Sequence, residues 1–297
     1  MTLSEFFNDI LSDRIKKVII DTDAYNEIDD QYAIAYAMRS PEKLDIQAIC
    51  AAPFLNRRSS SAEDGMIQSY NEIFKIAELT DKNYSFPIYK GSDAFLSSKD
   101  TPIESEAADK IAEIVLGSDE PIYIIALGAI TNVASAIIKY PEIVGKTAIV
   151  WLGGQALHWS DTAEFNLGED VLAAQVVFDS GIPLLQIPCR GVCSEFLTTI
   201  PELDYYLSGK NALCDYLLDA TKKYPLDPFA WSKQIWDVTA VGIFTTPAAF
   251  CTDIIPRPIV TGASTYSLED TSRPPYIYVK RIKRDPVYAD MFKKLVL

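Results

Sequence analysis

The densest chemistry in this chain lies near its start. In Asp21-Thr22-Asp23-Ala24-Tyr25-Asn26-Glu27-Ile28-Asp29-Asp30, five carboxylates fall within ten residues. Like charges at that density raise one another's pKa unless a cation or hydrogen-bond donors offset them. The first turn of a helix accommodates one or two acids through capping and its dipole. Asp21 and Asp23 share one face of a strand end, because side chains alternate with period two. A hard-cation site accounts for the rest. All-oxygen ligands suit Ca²⁺ or Mg²⁺, and several carboxylates with carbonyls lean to Ca²⁺. The competing explanation is a solvated acidic loop whose acids do no more than cap a helix.

Composition removes other chemistries. The chain has one histidine, His158, so a multi-histidine zinc site cannot be built and any Ser-His-Asp arrangement would run through that residue. The five cysteines, 50, 189, 193, 214 and 251, show no zinc spacing and read as reduced thiols of a cytoplasmic protein. A net charge of −14 argues against nucleic acid or an anionic membrane as the main partner. No apolar run reaches the ~18 residues that a membrane span needs. The first residues, MTLSEFFNDILSDRIKK, are amphipathic without a signal-like core and predict an N-terminal helical extension over 1–16.

The elements that must position these acids are legible as short apolar runs: 18–20, 46–50, 122–127, 148–152 and 184–187. They are rich in β-branched residues and continuous, as strands buried on both faces are. Between them, 30–38, 61–79, 104–116, 131–139 and 171–178 have helical spacing; farther on, 203–223 and 237–244 do too. Strand alternating with helix predicts a single α/β domain, 1–297, with a mostly parallel, Rossmann-like central sheet flanked by helices. Ligands in such sheets bind outside the carboxyl ends of the strands, where the acidic segment lies.

An Asp-Xaa-Asp near the start also occurs in haloacid dehalogenase-type phosphatases, which need Thr or Val where Tyr25 stands here. The segment instead resembles the Asp-Xaa-Asp-Pro-Gly-Xaa-Asp-Asp signature of the inosine-uridine-preferring nucleoside hydrolases, with five residues, Ala24 to Ile28, in place of three. Four further stretches resemble that family in order: Leu127-Gly128-Ala129-Ile130-Thr131-Asn132-Val133-Ala134, Trp151-Leu152-Gly153-Gly154, Ala163-Glu164-Phe165-Asn166 and Trp236-Asp237-Val238-Thr239-Ala240-Val241. The resemblance covers roughly 17–250 and implies a nucleoside hydrolase-like fold. It implies Ca²⁺-dependent hydrolysis of the N-glycosidic bond of a ribonucleoside or related N-riboside, as in purine or pyrimidine salvage.

In that reading Ca²⁺ is held by Asp23, Asp30, the Thr131 carbonyl and Asp237, and Asp23 deprotonates a metal-bound water. Asp29, Glu164 and Asn166 hold the sugar, Asn56 falls near a further ribose contact, and Asp21 orients groups beside the cation without touching it. The family implies a homodimer or homotetramer. This sequence departs from the family at Trp236, which stands where a proton-donating His is common and can only stack on a base. His158 is expected to line the 5′ end of the sugar. Arg57 and Arg58 adjoin Asn56 and could meet a substrate phosphate or carboxylate. The competing function is a non-catalytic ribosyl-ligand binder that keeps the metal site.

Overall fold

The computed structural model describes residues 1–297. Its centre is an eight-stranded sheet. In chain order the strands are β1 (Lys16–Thr22), β2 (Leu44–Ala51), β3 (Ile88–Lys90), β4 (Ile122–Ala126), β5 (Thr147–Leu152), β6 (Leu184–Ile187), β7 (Leu197–Thr198), β8 (Lys233–Gln234), β9 (Phe250–Pro256), β10 (Ile259–Val260), β11 (Tyr266–Ser267) and β12 (Pro275–Ile282). The sheet runs β3-β2-β1-β4-β5-β6-β12-β9, with β7/β8 and β10/β11 as separate pairs. All neighbours are parallel except β9, which pairs antiparallel with β12. The order reverses between β1 and β4, so the crevice outside their carboxyl ends is where such a sheet takes ligands. Asp21 to Asp23 leave β1 there.

Helices cover both faces: α1 (Leu3–Ile10), α2 (Asp29–Met38), α3 (Ala62–Thr80), α4 (Glu106–Gly117), α5 (Thr131–Lys139), α6 (Phe165–Glu169), α7 (Val171–Asp179), α8 (Ile200–Leu207), α9 (Ala212–Lys223), α10 (Val238–Thr245) and α11 (Arg284–Leu295). Ile20, Tyr123 and Ile125 face one apolar layer with α2 and α10, while Ile19, Ile124 and Ile149 face the other with α5 and α7. Strands buried on both faces have no polar side to show, which is why the runs were continuous. Ser61, Ser105 and Asp170 accept backbone N–H groups at the starts of α3, α4 and α7.

The helix predicted over 203–223 is two helices. The chain turns at Gly209 with φ +67°, a conformation that favours glycine, and Asn211 caps the second helix. The N-terminal helix ends at Ile10, and Lys16 already belongs to β1. Phe6 is fully buried against Tyr123, so α1 packs on the sheet as part of the core. The final strands and α11 had no counterpart among the predicted runs. All five cysteines are free thiols, four of them buried. No helix is long and apolar enough to cross a membrane.

Candidate active site

A cleft of about 790 Å³ opens at the carboxyl edge of the sheet. Its lining includes Asp23, Glu27, Asp29, Asp30, Glu164, Glu169 and Asp237, with Arg190 as the one cation. Leu55, Phe165 and Trp236 give it apolar ground.

The β1–α2 turn sets the acid side. Asp29 and Asp30 open α2, yet no side chain caps that helix, and Asp237 precedes α10 without capping it either. The three carboxylates lie within 4.8 Å of one another and are buried. Helix capping therefore does not account for them. Asp30 accepts a hydrogen bond from the Thr22 hydroxyl. Asp23 sits beside this trio and accepts from Asn26 Nδ2 at 3.1 Å. The Asn56 amide donates in turn to Asn26 Oδ1 at 2.5 Å, so Asn56 reaches Asp23 through Asn26. The end of β4 presses against Asp23 so closely that a Cβ on Gly128 would lie 2.9 Å from its carboxyl carbon.

Burial raises this whole set, and mutual repulsion adds to it. Asp30 is pushed up to about 7, by burial first and Asp29 second. Asp23 and Asp237 lie well above the usual carboxylate range, by burial and then the charge of Asp30. Asp29 is raised by burial, an effect that Lys233 opposes. Asp23, Asp30 and Asp237 have one hydroxyl and one side-chain amide for donors between them, which is the donor set of a hard cation site.

On the opposite wall Glu164 is satisfied by the protein itself. Glu164 accepts Asn166 N–H on Oε1 at 2.9 Å, and Leu167 and Gly154 N–H on Oε2 at 3.0 and 2.7 Å. Gly154 has φ +73°, and a Cβ there would collide with the Tyr266 hydroxyl at 2.1 Å. Asn166 spends both amide hydrogens on the Leu127 and Leu152 carbonyls, at 2.6 and 2.9 Å, which leaves its oxygen for a ligand. Glu169 takes Leu55 N–H at 2.8 Å, its other oxygen is buried without a partner, and burial lifts it to about 8.

The cleft thus brings together Asp23, Asp29, Asp30, Asn56, Glu164, Asn166, Trp236 and Asp237. Five residues singled out from the sequence stand outside its lining. Thr131 is fully buried at the start of α5, its hydroxyl donating to Asp170 at 2.7 Å. Asp21 is tied to Asn132 Nδ2 at 2.7 Å, with burial pushing it up to about 7. His158 packs against Gly191, in the turn after β6. Arg57 and Arg58 lie over the rings of Tyr224 and Tyr25, and Arg58 also donates to the Glu27 carbonyl at 3.0 Å. The cation that does reach the cleft is Arg190, on the turn after β6, whose guanidinium forms no ion pair. Glu169, Cys189 and Lys233 carried no motif of their own. Glu27 and Asn26 could be suspected only from the extra length of the turn.

Fold and site define an α/β protein with an acid-lined cleft at the switch point of a parallel sheet. The chain matches the model of the inosine-uridine preferring nucleoside hydrolases over residues 18–279 and belongs to that family. It is 30% identical over 177 residues to a pyrimidine-specific ribonucleoside hydrolase, RihA, of Escherichia coli (strain SMS-3-5 / SECEC), covering 53% of this chain and 55% of the relative. A relative of the same description from Salmonella newport is 30% identical over 174 residues, covering 52% and 54%. The chain thus spans about half the length of the curated relatives it matches. The plant nucleoside hydrolase PpNRh1 superposes with a TM-score of 0.74 at 20% identity, over 95% of this chain and 99% of that one. A purine-preferring ribonucleoside hydrolase from Gardnerella vaginalis superposes with a TM-score of 0.72 at 20% identity, over 95% and 98%. These likenesses agree on the fold.

Proposed function

We propose that this protein hydrolyses the N-glycosidic bond of a ribonucleoside or related N-riboside, with Ca²⁺ held by Asp23, Asp30, Asp237 and the Thr131 carbonyl. The observation that carries the reading is the buried trio Asp29, Asp30 and Asp237 beside Asp23, acids that cap no helix, of which Asp23, Asp30 and Asp237 have only two side-chain donors between them. When bound, a hard divalent cation there acidifies a water and orients vicinal hydroxyls.

The chain's own residues do the rest. Breaking an N-glycosidic bond builds positive charge on the ribose, and the carboxylates around the cleft stabilise that charge without reorganising. Asp23 takes the proton from the attacking water; the Asn56–Asn26 relay fixes the carboxylate's orientation for it. Asp29 and Asn166 offer acceptor oxygens to sugar hydroxyls. Glu164 holds the wall that closes the sugar's far side, its carboxylate pinned by three backbone N–H groups. Trp236 supplies a flat face for the base.

The test is release of free ribose from inosine, uridine and nicotinamide riboside, with and without chelator. Chelator-sensitive release supports the reading; binding without release turns it into a non-catalytic riboside binder. Arg190 favours a second reading, a riboside with an anionic 5′ substituent, since it is the one cation lining the cleft. Inclusion of 5′-monophosphates in the panel decides between them: preference for the phosphorylated form selects the second.

A further inference from the structure

The turn between Asp23 and Asp29 is two residues longer than the family signature, and the extra length places Glu27 on the cleft. Facing it is Lys233 on the two-residue strand β8, with only 8% of its surface exposed. Its ammonium lies 2.5 Å from Glu27 Oε2, 2.8 Å from the Gln234 carbonyl and 3.6 Å from Asp29 Oδ1. Tyr224 donates to the other Glu27 oxygen at 2.9 Å. The other Asp29 oxygen accepts Trp236 N–H at 2.9 Å. One stretch of chain, 233–236, therefore addresses both oxygens of Asp29 and runs straight into Asp237.

We propose that Lys233 is a positioning residue: through the Glu27–Lys233–Asp29 bridge it holds Asp29 in the cleft with one acceptor oxygen unspent for a sugar hydroxyl. The inference rests on the riboside-hydrolase reading above. Asp29 shares its site with two like charges within 4.8 Å, which push its carboxylate away from them. Lys233 is the cation that reaches it. The distance matters as much as the charge. At 3.6 Å the ammonium attracts Oδ1 without forming a hydrogen bond to it, because Glu27 and the Gln234 carbonyl hold it off. The lone pairs of that oxygen stay available. Burying a lysine in this way is a poor route to stability, since desolvation offsets most of the pairing energy. Its placement is better explained by what it does to Asp29.

The experiment uses p-nitrophenyl riboside, whose leaving group needs no protonation, and compares Lys233→Met, Lys233→Arg, Glu27→Gln and Asp29→Asn with the unaltered chain. Lys233→Met is expected to raise KM about tenfold with kcat within about threefold, and Lys233→Arg to recover most of the loss. Calcium affinity, read by calorimetry, should be no weaker in Lys233→Met, because a positive charge beside Asp29 has been lost. A merely structural lysine would weaken calcium and substrate together. If Lys233→Met does not fold, Glu27→Gln serves: it frees the ammonium to close on Asp29 and should raise KM severalfold. The inference is overturned if Asp29→Asn raises KM while Lys233→Met, or Glu27→Gln in its place, leaves it unchanged. No hydrolysis by the unaltered chain, or an Asp29→Asn variant with ordinary KM, overturns the underlying reading, and the inference falls with it.

Discussion

The two walls of the cleft hold the same kind of side chain in opposite states. On one, Glu164 receives three backbone N–H groups. Behind that wall Asp170 receives Leu96 N–H, Ala173 N–H and the Thr131 hydroxyl at 2.9, 2.9 and 2.7 Å. Both carboxylates are raised by burial, as on the other wall, yet each is satisfied by the fold and serves as a clamp. On the other wall, Asp23, Asp30 and Asp237 have one amide and one hydroxyl between them and crowd one another. Burial alone therefore does not mark a functional acid. The count of donors does: a buried carboxylate that the protein leaves short of partners is held for something from outside.

The sharpest way to break this comparison is to delete one acid from each set. Asp237→Ala should lower turnover by at least about a thousandfold, since metal and base geometry go together. It should also abolish the rise in Tm on adding Ca²⁺, while leaving the metal-free Tm unchanged or higher, because a repulsion is removed. Asp170→Ala should do the reverse. It strips a helix cap and two further donors of their acceptor, so unfolding in urea should show a loss of about 2–3 kcal/mol with or without Ca²⁺. If Asp237→Ala destabilises the metal-free chain as Asp170→Ala does, the contrast between the walls is wrong.

A smaller effect sharpens it by pH. Asp30 is raised to about 7 and Glu169 to about 8, in both chiefly by burial, with neighbouring acid charge adding to it. The metal-free fold thus binds more protons than the unfolded chain between the ordinary carboxylate pKa and those values. This contribution to stability is complete below the ordinary pKa and is lost as pH rises through about 7 to 8. Melting of chelator-treated protein should show Tm falling by several degrees between about pH 5 and pH 8.5, and Ca²⁺ at the higher pH should restore it. A Tm that is flat across that range would mean that the acids are compensated without a cation.

Much of the fold was visible because its code is local. Continuous β-branched runs separated by helical spacing can only be a parallel sheet between helix layers, and the end of the first run is where such a sheet binds ligands. The C-terminal edge strand escaped because β9 alternates exposed and half-buried residues, without a continuous run. The break at Gly209 escaped because helical spacing persists on both sides of a four-residue turn. At the site, Asp23, Asp29, Asp30, Glu164, Asn166 and Asp237 were readable from motifs. Arg57 and Arg58 were singled out for standing next to Asn56 in sequence, but their side chains lie on aromatic rings, and Arg190, more than 130 residues away, reaches the cleft instead.

The amino-acid order determined that acids would gather at a strand end, that one histidine would leave little room for imidazole chemistry, and that a sheet would carry the site. Tertiary structure decided which acids are starved of donors and which are saturated, and it set Lys233 opposite Glu27 and Asp29 across some 200 residues of chain. The physical reason is that charge and apolar periodicity are properties of neighbours in sequence, whereas desolvation and hydrogen-bond satisfaction are properties of neighbours in space. No spacing rule contains the second.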